Sequence, residues 1–222
     1  MGGLGEFEGI RYEVFSMEDA VGFTAVVTEA FTGYEPMSLA MGIPFDVFYG
    51  FMGGLAVKAA EEGLSVIARD IASGKVVGAL VNEDLMSPPA ETPNPLDSRF
   101  NPIFTLLGEL TEYYRDSHDF QLGECLHVFM IGVTHDYKGR SLSSHLISHS
   151  LKNARNKGFR AVCTEATGRI SQHIFGKKFG FHELKKTEYK TFVYNGEQIF
   201  RNIKDHWGAY LMERGLAEPS EN

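Results

Sequence analysis

The chain has 222 residues, of which 43% are hydrophobic and 23% are charged, and it carries a formal net charge of −8. This composition predicts one globular domain, residues 1–222, and its acidic balance argues against nucleic acid as a partner. No stretch approaches the roughly 18 apolar residues of a membrane span, and the start lacks the charged and apolar segments of a signal peptide. We therefore expect a cytoplasmic protein, with Cys125 and Cys163 as buried free thiols rather than a disulfide or metal site.

The first third of the chain predicts a strand, two helices and a hairpin. Residues 1–9 are rich in glycine and are expected to be flexible. Ser16-Met17-Glu18-Asp19 resembles a capping box, which marks the start of a helix. Between the two helices lies a short break with one carboxylate, Glu35, beside a proline. The predicted elements are a strand at 10–15, helices at 16–31 and 44–63, and hairpin strands at 64–69 and 75–82.

Prolines dominate the next segment, since five of the eight in the chain fall within residues 86–102. This density predicts an extended loop, because proline has no backbone N–H to donate to a helix or sheet. A helix at 103–115 follows. Residues 85–120 are interpreted as an insertion whose long loop is of the kind that forms lids or binding sites.

The stretch 126–151 joins a buried strand to a helix through a basic turn. Residues 126–133 are apolar, β-branched or aromatic at most positions, which predicts a strand covered on both faces. From Ser141 the apolar residues recur at helical spacing. Lys138 and Arg140 precede the first turn of this helix, whose unpaired N–H groups and positive dipole end favour an anion. The junction is therefore either a phosphate site or an ordinary β-turn-α connection.

The last third begins with a second buried strand, predicted at 160–164. A strand, helix and strand in this order imply a parallel pair with a right-handed crossover. The remaining predicted elements are a short helix at 168–178, strands at 181–184 and 189–194, and a helical tail from His206.

The order of these elements resembles that of the GNAT superfamily of acetyl-CoA-dependent N-acetyltransferases. Lys138-Gly139-Arg140-Ser141-Leu142-Ser143 stands at the family's Q/R-x-x-G-x-G/A phosphate signature, with lysine for Gln/Arg and serines for both glycines. The resemblance implies a mixed α/β fold with a central, mostly antiparallel sheet of six to seven strands, flanked by helices. It also implies a parallel strand pair at the site of acetyl-CoA, the expected co-substrate.

Under this resemblance the pyrophosphate of coenzyme A lies on backbone amides of the turn. The pantetheine arm pairs with the central strand, which also supplies a donor for the oxyanion where it splays from its neighbour. The expected cofactor-binding residues are Met130, Ile131, Gly132, Val133, Lys138, Gly139, Arg140, Ser141, Leu142, Ser143 and Ser144.

A second motif, residues 171–181, looks like the family's late helix that ends in K-x-G-F. In many members this helix carries a tyrosine that protonates the departing thiolate. Counting back from the end of the motif places Gly176 there, whereas counting from its start places Phe175 there and implies a one-residue insertion. Either alignment implies that this general acid is absent.

A third motif, residues 31–37, resembles the F…E-P-L/M segment of the insect-type arylalkylamine (dopamine) N-acetyltransferases. The glutamate is the general base in those enzymes, so the resemblance implies this role for Glu35. The alternative is a solvent-facing loop carboxylate. An amine with a pKa near 10 is charged at pH 7, and a carboxylate both binds that ammonium and accepts its proton.

Three further side chains are candidates for proton transfer. The resemblance suggests Thr167 and Ser171 for the thiolate, with an ST-turn and the N-cap of the late helix as alternative roles. His127, on the central strand, is either part of a proton relay or a satisfied core residue. The other helix histidines give no metal-binding spacing and are interpreted as surface residues: His145, His149 and His173.

The sequence thus predicts an enzyme that moves an acetyl group from acetyl-CoA to a primary amine by direct attack in a ternary complex. Arylalkylamines lead as acceptors, and polyamines, amino acids and protein N-termini are the other candidates. A catalytically inactive acyl-CoA-binding regulator is the alternative from a different class. The expected partner is a small-molecule amine, without nucleic acid or membrane, and the chain is a monomer or homodimer.

Aromatic residues of the second helix either line an aryl pocket or pack in the core: Phe45, Phe48, Tyr49 and Phe51.

Overall fold

One sheet of eight strands organises the fold. The computed structural model describes residues 3–91 and 95–216. In spatial order the strands are β1-β2-β3-β4-β5-β6-β8-β7. Their bounds are β1 Gly3–Phe7, β2 Ile10–Val14, β3 Val66–Asp70, β4 Val76–Asp84, β5 Cys125–Val133, β6 Ala161–Ala166, β7 His182–Glu188 and β8 Gly208–Gly215.

Helices cover both faces of this sheet. Those of more than one turn are α1 Ala20–Tyr34, α2 Pro36–Ala40, α3 Phe45–Glu62, α4 Asn101–Asp116, α5 Leu142–Asn156 and α6 Arg169–His173. Buried residues of α1, α3 and α4 form one hydrophobic core, and those of α5 form a second core on the opposite face. All strand pairs are antiparallel except β5 with β6, which α5 connects. This is the mixed α/β architecture predicted from the sequence, with its parallel pair in the predicted place.

The sheet has eight strands rather than six to seven because both ends of the described chain join it. Gly3–Phe7 pairs with β2, which the sequence did not predict. The expected flexibility of residues 1–9 stays a prediction. Gly208–Gly215, expected to be helical, inserts between β6 and β7. Ala209 and Leu211 of β8 enter one core and Tyr210 and Met212 pack against the other. A strand covered on both faces has no polar alternation, which is why its sequence did not reveal it.

Other differences from the predicted elements are local. Ser16 makes no side-chain capping bond, and a 3-10 turn at Met17–Asp19 precedes α1. Residues 189–191 form a turn and residues 192–193 are irregular, where a strand was expected, and an isolated bridge between Tyr194 and Glu197 follows. His145 and His149 are half-buried, because their rings stack on aromatic residues of β1 and β2, whereas His173 is exposed as predicted.

Helix α4 lies within residues 85–120 and packs against β6, β7 and β8. Its buried residues include Leu106, Leu110 and Tyr114, so the predicted helix is part of the main core. The described parts of the proline-rich segment before it, 86–91 and 95–97, contain no helix or strand, and residues 92–94 lie outside the described chain.

Two observations concern the expected cellular setting. Cys125 and Cys163 are buried free thiols on neighbouring strands, as predicted, with their sulfur atoms 4.0 Å apart. Across residues 3–91 and 95–216, no helix combines the length and apolar character that a membrane crossing requires.

Candidate active site

The central strand β5 separates from its parallel neighbour β6 partway along its length. The two strands pair only over residues 125–127 and 161–163, and Thr164 Oγ1 then donates to the Val128 carbonyl at 2.9 Å. On its other side β5 stays paired with β4 as far as Val133, with a bulge at Phe129. One edge of β5 therefore lacks a strand partner beyond the bulge within the described chain. Bulges and unpaired edges of this kind are common next to active sites.

A pocket opens at this gap, with about 700 Å³ of empty space when the open solvent at its mouth is counted. Seven phenylalanines line it: Phe31, Phe48, Phe51, Phe100, Phe104, Phe129 and Phe175. Its polar side chains are Glu35, Ser38, Thr164, Glu165, Thr167 and Ser171. Of the four aromatic residues predicted on the second helix, Phe48 and Phe51 line the pocket, and Phe45 and Tyr49 do not. A mostly apolar wall with a few fixed polar groups is typical of a small-molecule site.

Glu35 lies in the pocket wall as the N-cap residue of α2. Its Oε1 accepts the Met37 N–H at 3.1 Å and its Oε2 accepts the Ser38 N–H at 2.6 Å. The residue is only 9% exposed, so the solvent-facing alternative is wrong. A carboxylate has about four acceptor sites. Two of these are used for the cap, which holds the group in place and leaves acceptor capacity for a ligand.

A chain of buried charged groups leads away from the pocket through β6, β5, β4 and α3. Glu165 Oε2 lies 2.6 Å from His127 Nε2, and Glu83 Oε1 lies 2.9 Å from His127 Nδ1. Glu83 Oε2 contacts Lys58 Nζ at 3.0 Å, and Lys58 also pairs with Glu62 at 2.7 Å. Both nitrogens of His127 are therefore occupied by carboxylates.

This arrangement fixes the charge of His127. Burial alone lowers its pKa, but the carboxylates of Glu165 and Glu83 outweigh burial and raise the pKa of His127 to about 10. Burial raises the pKa of Glu83, yet contacts with His127 and Lys58 lower it to about 2. A relay through His127 would have to place a proton on Glu83, which is strongly unfavourable at pH 7. The geometry favours a fixed imidazolium over a proton carrier.

Thr167 and Ser171 both line the pocket, close to the end of β6. Ser171 Oγ donates to the Gly168 carbonyl at 2.8 Å and accepts the Gly168 N–H at 3.3 Å. Gly168, not Ser171, is the N-cap residue of α6. The Thr167 carbonyl accepts the Tyr189 hydroxyl at 2.7 Å, while the Thr167 hydroxyl has no hydrogen-bond partner within residues 3–91 and 95–216. An ST-turn role for Thr167 therefore finds no bond to support it.

Phe175 occupies the pocket wall where the resemblance places a tyrosine. It lies in a π-helical turn, Ile174–Lys178, which follows α6. Such a turn is the usual structural consequence of inserting one residue into a helix. Gly176 does not line the pocket, and an added Cβ there would lie 3.2 Å from Met212 Cε. The geometry thus favours the alignment with an insertion at Phe175, and no hydroxyl stands at this position.

Four predicted cofactor residues continue along β5 from the bulge. Met130 and Ile131 line the pocket, and Gly132 and Val133 lie beyond it. The edge of β5 that faces away from β4 has no strand partner at these residues within 3–91 and 95–216. An added Cβ on Gly132 would lie 3.0 Å from the Val26 carbonyl oxygen. Glycine at this position therefore allows α1 to pack directly on β5.

The turn before α5 presents unpaired backbone amides. The N–H groups of residues 139–143 have no hydrogen-bond partner among the residues that the structure describes. Gly139 has φ +79° and Ser141 has φ +60°, and Ser141 stands where the phosphate signature has its first glycine. The left-handed conformation that this turn requires is thus held by a serine, at a cost of roughly 1–2 kcal/mol.

Three cations surround this turn. Lys138 Nζ lies 3.0 Å from the centroid of the Tyr34 ring, and Arg140 lies over the Tyr137 ring at 5.0 Å. Lys178 Nζ lies 3.3 Å from Ser144 Oγ. The side chain of Leu142 is buried, so only its backbone faces the turn. The arrangement can hold an anion by amides and flanking charge.

Four site residues could not be recognised in the sequence: Glu165, Lys178, Phe100 and Phe104. Glu165 had no recognisable pattern, because a carboxylate within an apolar strand shows its role only when its partners are known. Lys178 lies in the quoted late-helix motif, yet its distance from the turn depends on the tertiary fold. Phe100 and Phe104 came from the segment treated as an insertion, where proline content was the stronger signal.

Residues 66–181, just over half of the chain, match the model of the Acetyltransferase (GNAT) family. This matched range includes β3 to α6, and so the strand gap, the turn and the late helix.

Similar solved structures cover almost the whole chain. The C-terminal condensation domain of Ebony, in complex with beta-alanyl-dopamine, superposes with a TM-score of 0.84 at 19% identity, over 93% of this chain and 98% of that one. Arylalkylamine N-acetyltransferase 2 from Aedes aegypti superposes with a TM-score of 0.78 at 21% identity, over 95% of this chain and 100% of that one. The Drosophila melanogaster polyamine N-acetyltransferase superposes with a TM-score of 0.71 at 18% identity, over 93% of this chain and 99% of that one. At these identities the likeness establishes a common fold.

Proposed function

Because the chain belongs to the acetyltransferase (GNAT) family, in which acetyl-CoA is the co-substrate, we propose that it acetylates the primary amine of an arylalkylamine. The observation that carries the proposal is the fixed carboxylate of Glu35 in a phenylalanine-lined pocket, beside the gap between β5 and β6. The reaction is direct attack in a ternary complex, without a covalent enzyme intermediate.

The first step is loss of a proton from the acceptor ammonium. Glu35 binds the cation and accepts its proton, directly or through water, which frees the nitrogen lone pair. That nitrogen attacks the thioester carbonyl, a C–N bond forms, and the oxyanion is stabilised by backbone N–H groups of β5 near Ile131 to Val133. His127 takes no part in proton transfer in this scheme, because both of its nitrogens are bound to carboxylates.

Collapse of the tetrahedral intermediate breaks the C–S bond and releases the coenzyme A thiolate. The nitrogen of the intermediate carries one proton more than the amide product needs. The thiolate takes up this proton through the Thr167 hydroxyl, which donates one proton as it accepts another, or through Ser171 and solvent. The Thr167 hydroxyl has no hydrogen-bond partner among the described residues, which favours it over Ser171, whose oxygen already bonds to Gly168 twice. The expected tyrosine is replaced by Phe175, so this step has no strongly positioned acid.

The cofactor lies along β5 and the turn before α5. Pantetheine pairs with the edge of Met130 to Val133 that faces away from β4, and the pyrophosphate accepts amide hydrogen bonds from residues 139–143. The Ser144 N–H already donates to the Ser141 carbonyl. Lys138, Arg140 and Lys178 neutralise its charge. Lys178 extends the set that the sequence suggested, since its ammonium lies beside Ser144.

The acceptor class rests on the pocket lining. Seven phenylalanines suit an aryl group better than a polyamine chain, because aromatic rings pack favourably against one another. Two similar structures support this class: one is an arylalkylamine N-acetyltransferase and another is in complex with beta-alanyl-dopamine. Polyamines are the second enzyme candidate, since a polyamine N-acetyltransferase shares the fold. The free cysteines fit the cytoplasm as its location.

An acyl-CoA-binding regulator is the candidate from another class. Two observations favour it: Phe175 removes an expected acid, and Ser141 strains the phosphate turn. Either role requires acetyl-CoA to bind, so turnover is what separates them.

The deciding experiment measures coenzyme A release from acetyl-CoA with 2-phenylethylamine, tyramine, dopamine and putrescine. We expect turnover on the aryl amines. In Glu35→Gln the kcat at pH 7 should fall by at least about 100-fold, since general bases contribute roughly 10²–10⁴-fold. Glu18→Gln, which changes an exposed carboxylate, is the control and keeps the parent rate. Turnover on no amine favours the regulator, and an unchanged kcat in Glu35→Gln removes the assigned base.

A further inference from the structure

Glu165 is the second carboxylate in the wall of the aromatic pocket, and the proposed chemistry leaves it without a role. It comes from β6, whereas Glu35 comes from the start of α2. Its side chain is only 4% exposed. A carboxylate is rarely buried this deeply unless hydrogen bonds and opposite charges offset the cost of removing it from water. A bound ligand can supply one of these hydrogen bonds.

The position of Glu165 is fixed from two sides. Its Oε2 is bound to His127 Nε2 at 2.6 Å, and its Oε1 lies 3.0 Å from the Thr111 hydroxyl of α4, whose one hydrogen is shared with the Leu107 carbonyl at 2.9 Å. These bonds use two of about four acceptor sites. Glu165 is among the residues that line the pocket, so the remaining lone pairs are the acceptors it has to offer to a hydrogen-bond donor on a bound molecule.

The charge of Glu165 is compensated by its neighbour. His127 is held as an imidazolium between Glu165 and Glu83, and Glu83 in turn pairs with Lys58. A second ammonium on the acceptor would therefore meet a carboxylate that is already neutralised, with the imidazolium directly behind it. A neutral donor meets no such repulsion and still gains a charge-assisted hydrogen bond.

We propose that Glu165 is a specificity-determining residue that accepts a hydrogen bond from a neutral donor on the acceptor's aromatic ring, a phenolic hydroxyl or a ring N–H. The amine of the same molecule lies at Glu35, and the ring packs among the phenylalanines between these walls. This inference rests on the proposed function, because it concerns how the same pocket recognises the ring substituent of the acceptor amine.

The prediction is a preference for ring-hydroxylated amines that depends on Glu165. Parent kcat/KM for tyramine or dopamine exceeds that for 2-phenylethylamine by about 10-fold or more, the usual effect of a hydrogen bond to a charged group. In Glu165→Gln this ratio falls to about 3-fold or less, since the amide is uncharged and shares its oxygen with His127. Glu165→Asp retains the charge and restores part of the ratio. Glu109→Gln, an exposed carboxylate on α4, is the matched control and leaves the ratio unchanged.

A ratio between two acceptors separates specificity from a loss of folding, because damage to the fold lowers both rates together. Equal kcat/KM for hydroxylated and unsubstituted amines in the parent enzyme overturns the inference without any variant. An unchanged ratio in Glu165→Gln overturns it as well. So does a parent preference for putrescine that Glu165→Gln abolishes, which would make Glu165 the receptor of a second ammonium. Absence of turnover on every amine overturns the proposed function itself, whereas turnover with an unchanged ratio overturns only the role of Glu165.

Discussion

In the aromatic pocket, Glu35 and Glu165 are both bound to protein groups before any ligand arrives. In the turn before α5, the N–H groups of residues 139–143 have no partner among the described residues. The pocket's charges are oriented by neighbours: backbone N–H groups for Glu35, and His127 with Thr111 for Glu165. The turn instead exposes donors and flanks them with lysine and arginine side chains. The two regions thus differ in whether the protein or the ligand satisfies their polar groups.

This difference follows from what each region must do. A general base or a specificity group has to stand at one place with one charge, and burial among partners achieves both. A phosphate site needs donors that remain free until the anion binds, so it lies at the surface and depends less on tertiary packing. Changes to the pocket network should therefore affect folding strongly, whereas changes to the turn should affect mainly cofactor affinity.

The largest expected effect is on the pocket network. His127→Gln leaves Glu165 and Glu83 buried without their shared cation, and removing one partner of a buried ion pair typically costs about 3–5 kcal/mol. We expect a loss of this order in the free energy of unfolding, measured by urea denaturation at pH 6. His173→Gln changes an exposed histidine and should stay within about 0.5 kcal/mol of the parent.

The parent and His127→Gln should also differ in how the free energy of unfolding depends on pH. The pKa of His127 is raised from 6.5 to about 10, so its contribution is fully present below pH 6.5 and is lost as the pH rises through 10. The pKa of Glu83 is lowered from 4.5 to about 2, so its contribution is present above pH 4.5 and is lost as the pH falls through 2. The stability advantage of the parent over His127→Gln should thus be greatest between pH 4.5 and 6.5. A difference that stays constant from pH 6 to pH 10 would show that His127 is not held as an imidazolium.

An intermediate effect is expected at the turn, on affinity rather than folding. Ser141→Asp places a negative charge beside the amides proposed to hold pyrophosphate, and like charges at this distance should weaken acetyl-CoA binding by about 10-fold or more. Titration calorimetry at pH 7 measures the change in Kd. Ser148→Asp adds the same charge on the exposed face of α5, away from the turn, and is the control. Equal Kd values for the parent and Ser141→Asp would place the pyrophosphate elsewhere.

The smallest effect concerns the backbone of the turn. Ser141→Gly removes a left-handed serine, which costs roughly 1–2 kcal/mol, but adds unfolded-state entropy worth roughly 0.5–1 kcal/mol. The net expectation is a gain in unfolding free energy of at most about 1.5 kcal/mol. Ser143→Gly, at a helical position of α5, should instead lose roughly 0.5 kcal/mol. Thermal unfolding measures the change in unfolding free energy for each variant, which should be positive for Ser141→Gly and negative for Ser143→Gly. The same sign for both would contradict the strain assigned to Ser141.

The sequence was most informative about local structure in regions where one residue type has one physical consequence. The apolar run at 126–133, the change of period at Ser141 and the cations before it predicted the strand, turn and helix that the structure contains. Glu35 was found through a short motif beside a proline. The strands β1 and β8 were missed because glycine content and a two-sided apolar strand hide the usual alternation.

What the sequence determined by itself is the mixed α/β architecture, the parallel pair and the presence of a basic turn ahead of α5, since these depend on periodicity and on residues close together in the chain. Only the tertiary structure decided which charges meet. Lys58, Glu83, His127 and Glu165 belong to four different elements, and their contacts arise from the pairing of β4, β5 and β6 beneath α3 and α4. Electrostatic energy depends on distances of a few ångströms between such groups, and no spacing along the chain encodes those distances.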